Sequence, residues 1–531
     1  MMHMKYIHIL LIACCCVGIG GCKKFLGTSP QDFLSPVNYY STEEQLTFAL
    51  AGVYSHLGKS ELYGDRMLGR MGLDADEGFY SRSGELTGVS VYEVSASDPI
   101  ITTHWRWIYE AINRANLLLA SIEKPSMDEK KRSAIKGETL FLRGYYYLML
   151  VSNFGGVPLI LEPVGSANAV NFPRATAKEV YEQVVADMTA AEGLVLGAGE
   201  AGNGGRISKS AVRGMLARVC LYMAGHPVND VAKYATAREW AQKVMQPQED
   251  GFQHALNPSF QAVFMNYCED KYDIKESIWE VEFWGNTQGA YRETGRVGSN
   301  NGIAYSTDPP DPKFAYSYGF LNPTGKLFRS FEAGDTRRDW SIATYRTSGN
   351  PAVKTNWTAS QIYERNSGKW RREYEVVTPK DKNGGAINFP LLRYADVLLM
   401  FAEAENEVNG PTGDAYAALN QVRRRAYGKP VTTPDPVADV AGLDKESFRQ
   451  FLQEERSREL SFECLRKRDL VRWNIFLPVM KAMANQIDGE APSAFKYAAR
   501  SYINASARDE LWPIPSREIG LNKALTQNPG W

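Results

Sequence analysis

The chain has 531 residues, 60 of them Lys or Arg and 61 Asp or Glu, so its formal charge is −1 with both signs mixed along the length. Hydrophobic residues at 44% and aromatic residues at 11% exclude an intrinsically disordered protein, and the absence of any basic block argues against nucleic acid as a partner. The length supports a large core and more than one substructure.

Residues 1–21 read as a secretory signal peptide. Lys5 supplies the early positive charge, and an apolar run over 7–19 follows, broken only by His8 and Gly18. It is shorter than the ~20 residues a spanning helix needs and fits the apolar core of a signal peptide. Ile19-Gly20-Gly21-Cys22 resembles a bacterial lipobox, which makes Cys22 the lipidation site and residues 22–40 the anchor and tether. Several acyl chains on one cysteine would hold stably, where a single chain holds only marginally. Cys220, Cys268 and Cys464 are far apart, odd in number and without Cys-x-x-Cys spacing, so they read as buried small hydrophobes.

From 41 to 246 the pattern is helical. Thr42 before Glu43 and Glu44 predicts a capped helix running toward His56. Trp105, Ile108, Ile112, Ala115, Leu119 and Ile122 recur at spacings of three and four, which predicts a helix over 104–122. Residues 130–153 are apolar on most sides around Tyr145-Tyr146-Tyr147, the pattern of a buried helix, and Gly155, Gly156 and Pro158 stop it. Ala177, Tyr181, Val184, Met188 and Ala191 mark another face, and 209–223 and 235–245 complete the block. Helices in pairs of this length predict a tetratricopeptide-like stack, although the repeat's Trp-Leu-Gly-Tyr signature is missing.

Between 247 and 390 the helical period disappears and Gly, Pro, Asn and Asp become dense. This zone holds 23 of the chain's 61 aromatic residues in about a quarter of its length, so it is the place to look for a stacking surface. The alternating stretch 277–283 reads as a strand. Helices return at 391–408, 412–427, 445–462 and near 467–476. The predicted fold class is therefore mainly α: a helical-repeat scaffold (41–246 and 391–531) around an irregular, aromatic-rich insert (247–390).

Enzyme motifs are missing. Gly197-Ala198-Gly199-Glu200-Ala201-Gly202 has dinucleotide-loop spacing but follows a helix rather than a strand. There is no P-loop, no Gly-x-Ser-x-Gly elbow and no clustered histidine set for zinc, so no cofactor or metal is expected. Asp74-Ala75-Asp76-Glu77 is the one acidic cluster worth weighing as chemistry. It reads as a polar ligand-contacting loop or a solvated turn rather than a glycosidase pair, and it lacks the further ligands of a calcium loop.

Several phrases together resemble the SusD/RagB family of nutrient-binding lipoproteins. They are Trp107-Ile108-Tyr109 with Asn113-Arg114-Ala115-Asn116; Phe141-Leu142-Arg143-Gly144-Tyr145; Phe154-Gly155-Gly156-Val157-Pro158; Leu392-Arg393-Tyr394-Ala395-Asp396; Asp469-Leu470-Val471-Arg472-Trp473; and the closing Asn528-Pro529-Gly530-Trp531. Cys464 stands where the family usually has Gly. The resemblance implies a non-enzymatic outer-membrane lipoprotein, surface-exposed, that captures a glycan or oligosaccharide (in some members a peptide). It would hand its cargo to a SusC-like TonB-dependent β-barrel transporter. A surface glycoside hydrolase and a pure assembly scaffold are the rival readings. Arg143, Arg393 and Arg472 sit beside acids and read as structural, with Glu403 and Glu463 among their partners.

The binding site itself carries no family motif. Both the loop 74–103 and the aromatic insert are turn-rich and lie outside the repeats, so ligand is expected between them. Asp76 and Arg82 are the expected hydrogen-bonding groups, Trp284, Tyr305 and Tyr318 the stacking surface, and Tyr80 an edge contact. Tyr291, Tyr316 and Phe320 lie in the same aromatic-rich sequence.

Overall fold

Short polar side chains start most of the long helices. Thr42 accepts the Gln45 N–H at the head of α1 (Glu43–Tyr54), and Asp98 accepts two N–H groups at the head of α2 (Pro99–Leu119), where Pro99 fits the first turn. Asp128 caps α3 (Glu129–Phe154), Thr176 and Glu179 form a reciprocal capping box on α4 (Ala177–Glu192), and Ser208 caps α5 (Lys209–Ala224). The computed structural model describes residues 39–67, 72–166, 168, 170–284 and 294–531. The signal peptide, Cys22, the tether up to residue 38, and Tyr291 lie outside the described residues.

Each of these helices packs on the next, α1 on α2 through α5 on α6 (Lys233–Met245). The row then continues through sequence far downstream. Helix α8 (Tyr394–Asn409) packs on both α6 and α5, and α9 (Gly413–Ala426) and α10 (Lys445–Leu460) pack on α8. The fold is mainly helical and tetratricopeptide-like. Helix α3 runs through its centre with Tyr145, Tyr146 and Tyr147 all buried. Their hydroxyls meet Tyr63 Oη (2.6 Å), Val53 O (2.7 Å) and Ile160 O (2.9 Å), so burying three phenols strands no polar atom. Gly155 ends α3 at φ +71°, a conformation other residues adopt only with strain.

The region between the helical sets holds a nine-residue helix, α7 (Phe260–Cys268), and short strands, most of them paired with partners remote in sequence. Strand β1 (Gly78–Tyr80) pairs antiparallel with β3 (Leu321–Pro323), with Tyr80 opposite Leu321. Strand β2 (Ser277–Val281) pairs with β6 (Phe389–Arg393), and β4 (Tyr345–Ser348) with β5 (Val353–Asn356). The helix expected from 391 therefore begins three residues later. Leu392 lies opposite Trp279, and Arg393 opposite Ser277, before the chain turns into α8. Beyond α10, α11 (Arg466–Arg472) is followed by α12 (Phe476–Glu490), whose Phe476, Met480, Met483 and Ile487 fill a second core with Phe79 and Tyr502.

A buried ionic lattice ties these parts together. Glu459 on α10 accepts from Arg393 (2.9 Å), Arg425 (2.6 Å) and Arg337 (3.1 Å), and none of the four side chains is more than 1% exposed. Arg393 also forks onto Glu463 (2.8 and 2.9 Å), Arg143 forks onto Asp187 (2.7 and 2.8 Å), and Arg472 holds Glu403. Burial pushes the Glu459 carboxyl up, but the three surrounding guanidinium groups outweigh it and hold it down to about 2. These arginines connect elements; they do not face solvent.

Candidate functional site

Along the segment from Ala315 to Leu321, whose backbone is left-handed at Ala315 (φ +58°) and Gly319 (φ +60°), burial alternates with a period of two. Ser317, Gly319 and Leu321 are buried, whereas Tyr316, Tyr318 and Phe320 share the outer side and are half-buried. On one edge the backbone bonds to residues 299–305: Tyr318 N–H to Ser299 O and Phe320 N–H to Asn300 O, each 2.7 Å, and Ser317 with Tyr305 reciprocally at 2.9 Å. On the other edge it meets the loop after β1. Ser81 N–H donates to Phe320 O (2.9 Å), the Ser81 hydroxyl to Gly319 O (2.6 Å) and Arg82 Nη2 to Tyr318 O (2.6 Å). Gly319 has φ +60°, and a Cβ there would stand 2.6 Å from Ala304 Cβ, so only glycine lets the strand lie this close.

The result is a continuous aromatic strip. Tyr316 meets Tyr318 edge-on at 4.9 Å, Tyr318 lies parallel to Phe320 at 5.0 Å, and Phe320 meets Tyr80 at 5.1 Å. Tyr318 Oη donates to Asn383 Oδ1 (2.9 Å). The Arg82 guanidinium sits 4.9 Å from the Phe320 ring centre, and the Lys382 ammonium 4.3 Å from that of Tyr316. A half-exposed row of rings edged by an amide, phenols and cations binds molecules that have both apolar C–H surface and polar groups.

Of the residues expected from sequence, Tyr80, Arg82 and Tyr318 meet here, with Arg82 exposed and Tyr80 only 7% exposed beneath Phe320. Asp76 is elsewhere. It is 1% exposed, accepts from Arg466 Nε and Nη2 (2.8 and 2.9 Å) and pairs with Lys326, so it anchors the loop to α11 and offers no oxygen to a ligand. Tyr305 is 3% exposed, with its hydroxyl donating to Gly349 O (2.7 Å) and accepting from Asp311 N–H (2.8 Å); it supports the strip from inside. The rest of the acidic cluster is also buried, with Asp74 3.4 Å from Lys467 and Glu77 bonded to Ser457. The solvated turn expected there is in fact an internal anchor, because Arg466, Lys467 and Lys326 converge on it. Trp284 is 47% exposed but lines a separate cavity of about 450 Å³ with Tyr54, Asn203, Arg206, Glu282 and Phe283.

Tyr316 and Phe320, named from sequence in the aromatic-rich stretch but not among the chosen contacts, belong to the strip, as do Lys382 and Asn383, which were not named at all. The i, i+2, i+4 spacing of Tyr316, Tyr318 and Phe320 was the available signal for the rings; nothing in the sequence marks Lys382 and Asn383, which arrive through a remote loop. Among the described residues no three His, Cys, Asp or Glu side chains are placed to hold a metal ion, and no helix is long and apolar enough to cross a membrane.

A sequence profile described as the SusD family matches residues 275–531, and one described as starch-binding, associating with the outer membrane, matches residues 24–221. Two proteins of Formosa agariphila named SusD-like are similar over nearly their whole length. SusD-like protein P25 is 25% identical over 98% of this chain and 97% of its own, and SusD-like protein P2 is 26% identical over 96% and 97%. Among solved structures, a SusD homologue from Bacteroides thetaiotaomicron superposes with a TM-score of 0.85 at 28% identity, covering 93% of this chain and 98% of that one. A laminarin-binding SusD-like protein shares the fold at a TM-score of 0.70 and 23% identity, covering 93% of this chain and all of that one.

Proposed function

This chain belongs to the SusD family, and on that premise we propose that it captures a glycan on the strip Tyr316–Tyr318–Phe320 and passes it to a SusC-like TonB-dependent barrel. The observation that carries the proposal is the strip itself. Three rings from one short segment stay half-exposed, although their neighbours Ser317 and Leu321 are buried. The apolar C–H face of a sugar packs on such rings, and its hydroxyls meet Asn383, the phenols and Arg82. Binding of this kind needs no catalytic group, and the carboxylates Asp74, Asp76 and Glu77, the one acidic cluster worth weighing as chemistry, are closed off from solvent by their partners. The profile described as starch-binding and outer-membrane-associating supports the same reading, as does the laminarin-binding relative of like fold. In this reading Cys22 carries the lipid that holds the protein at the outer membrane, facing outward.

The test is Tyr318→Ala, assayed by calorimetry with an oligosaccharide selected on a glycan array. Loss of one stacking ring is expected to weaken binding by roughly 1–3 kcal/mol, by analogy with base stacking on aromatics, at an unchanged melting temperature. Unchanged affinity together with a markedly lower melting temperature would show that the ring belongs to the core and would overturn the assignment.

A further inference from the structure

The cations around the strip contrast with the many arginines that are matched to carboxylates, such as Arg329 with Glu490, Arg338 with Asp339, Arg449 with Glu407 and the lattice around Glu459. At the strip, Arg82 donates to two backbone carbonyls, Ser81 O (3.0 Å) and Tyr318 O (2.6 Å), and to the Ser81 hydroxyl (2.8 Å). Lys382 is exposed and rests on the Tyr316 ring. Lys380 donates to Lys313 O (2.5 Å) and Arg372 O (2.6 Å), and Arg500 to Ser83 O (3.0 Å) and Glu85 O (2.5 Å). None of these four takes part in an ion pair among the described residues.

Two carboxylates lie nearby in sequence. Asp381 turns Oδ1 to the Asn383 N–H (2.7 Å), and Glu85 meets Arg82 and Arg500 through its backbone. The protein as a whole carries a formal charge of −1, so an unmatched positive cluster is a local feature of this face. The cations are also positioned. Arg82 and Lys382 stand at opposite ends of the ring row, and Arg82 keeps its Nε–H and one Nη2–H uncommitted after its three bonds. Carbonyls and rings orient a cation without cancelling its charge, which leaves it available to an anion.

Resting on the capture reading, we propose that the ligand of the strip is an anionic glycan, with the rings taking the sugar faces and Arg82 and Lys382 taking carboxylate or sulfate groups on residues toward either end. Arg82 suits a planar, two-oxygen partner through its remaining donors, and Lys382 acts as a point charge. A neutral chain would pack on the same rings but leave the cations unmatched.

The experiment uses the purified full chain and six probes: oligogalacturonate and its methyl ester, a chondroitin sulfate oligosaccharide and its desulfated form, maltoheptaose, and laminarihexaose. Binding is measured by calorimetry for the unmodified protein, for Tyr318→Ala, and for the double variant Arg82→Ala/Lys382→Ala. The expected result is that an acidic probe binds tightest. Removing its distinguishing anionic groups, or making the double variant, should weaken it about tenfold or more, and about 0.5 M sodium chloride should weaken it further. The charged probe that responds distinguishes carboxylate from sulfate. Neutral probes binding as tightly as acidic ones, with Tyr318→Ala still lowering their affinity, would overturn the anionic assignment and leave glycan capture standing. Binding of the acidic probes unaffected by the double variant would overturn it as well. If no probe binds, or Tyr318→Ala changes nothing, the capture reading fails and this inference fails with it.

Discussion

Glu77 is closed inside the protein with a hydroxyl and an amide for company: Ser457 Oγ donates at 2.9 Å and the Phe462 N–H at 3.3 Å. Burial pushes its carboxyl up to about 7; Arg466 opposes that rise and Asp76 adds to it. A carboxyl raised in the folded state keeps its proton while the unfolded chain loses it. Its contribution to stability is therefore full below the ordinary value of 4.5 and is lost as pH climbs through 7. Over that window the loss is on the order of 3 kcal/mol. In Glu77→Gln the amide oxygen accepts the Phe462 N–H, the amide nitrogen donates to Ser457 Oγ, whose hydroxyl reverses its role, and the side chain cannot ionise. Its melting temperature is expected to match the parent at about pH 4 and exceed it at about pH 8; parallel curves across the window would refute the assignment. Single residues were the hardest scale to read from sequence. Asp76 and Arg82 look alike as polar loop positions, and only the approach of Arg466 and Lys326 from elsewhere in the chain buries one and leaves the other exposed. Tyr305 and Tyr318 are likewise similar phenols in similar sequence, but Tyr305 lies on the neighbouring segment paired with Ser317 and is buried, whereas Tyr318 is half-buried on the outer side.

At the scale of elements, the strip depends on how closely its backbone lies against residues 299–305. Gly319→Ala would add a left-handed penalty of about 1–2 kcal/mol and press a Cβ into Ala304, a further ~1–3 kcal/mol of overpacking. The expected outcome is weaker glycan binding and a lower melting temperature although no ring is touched. Gly202→Ala serves as the control: it also has positive φ (+74°) but open space around it, so it should leave binding intact. Helical elements were legible because each long helix writes its own buried face at spacings of three and four. Helix α7 carried the same signal, in Phe260, Val263, Phe264 and Tyr267, inside a stretch whose other residues suggested loops, and α12, within the C-terminal helical block, carried it in Phe476, Met480, Met483 and Ile487. The strands were less legible for a physical reason. β1 and β6 are three and five residues long, and their partners lie more than a hundred residues away, so register is decided by tertiary packing and not by local pattern.

For the molecule as a whole, the stack brings sequence-distant helices together, α8 closing on α5 and α6. The tether's chemistry is testable by itself. Cys22→Ala is expected to move the protein from the membrane fraction to the soluble fraction, or to leave it unprocessed. Retention of a normally processed variant through a high-salt wash would remove the lipid anchor. Near the other end, Asn528 donates to Phe154 O (2.9 Å) and Trp512 O (2.7 Å), and Arg174 holds Thr526 O (2.8 Å) and Asn528 Oδ1 (2.7 Å). The carbonyl that Asn528 satisfies is one of those α3 leaves open at its C-terminal end. The central helix of the amino-terminal half thus has its end sealed by a residue synthesised more than three hundred and fifty positions later. During synthesis from the amino terminus the frame of the early helices stays unlatched until that late segment emerges, so the last fastening of the scaffold comes at the end of the chain.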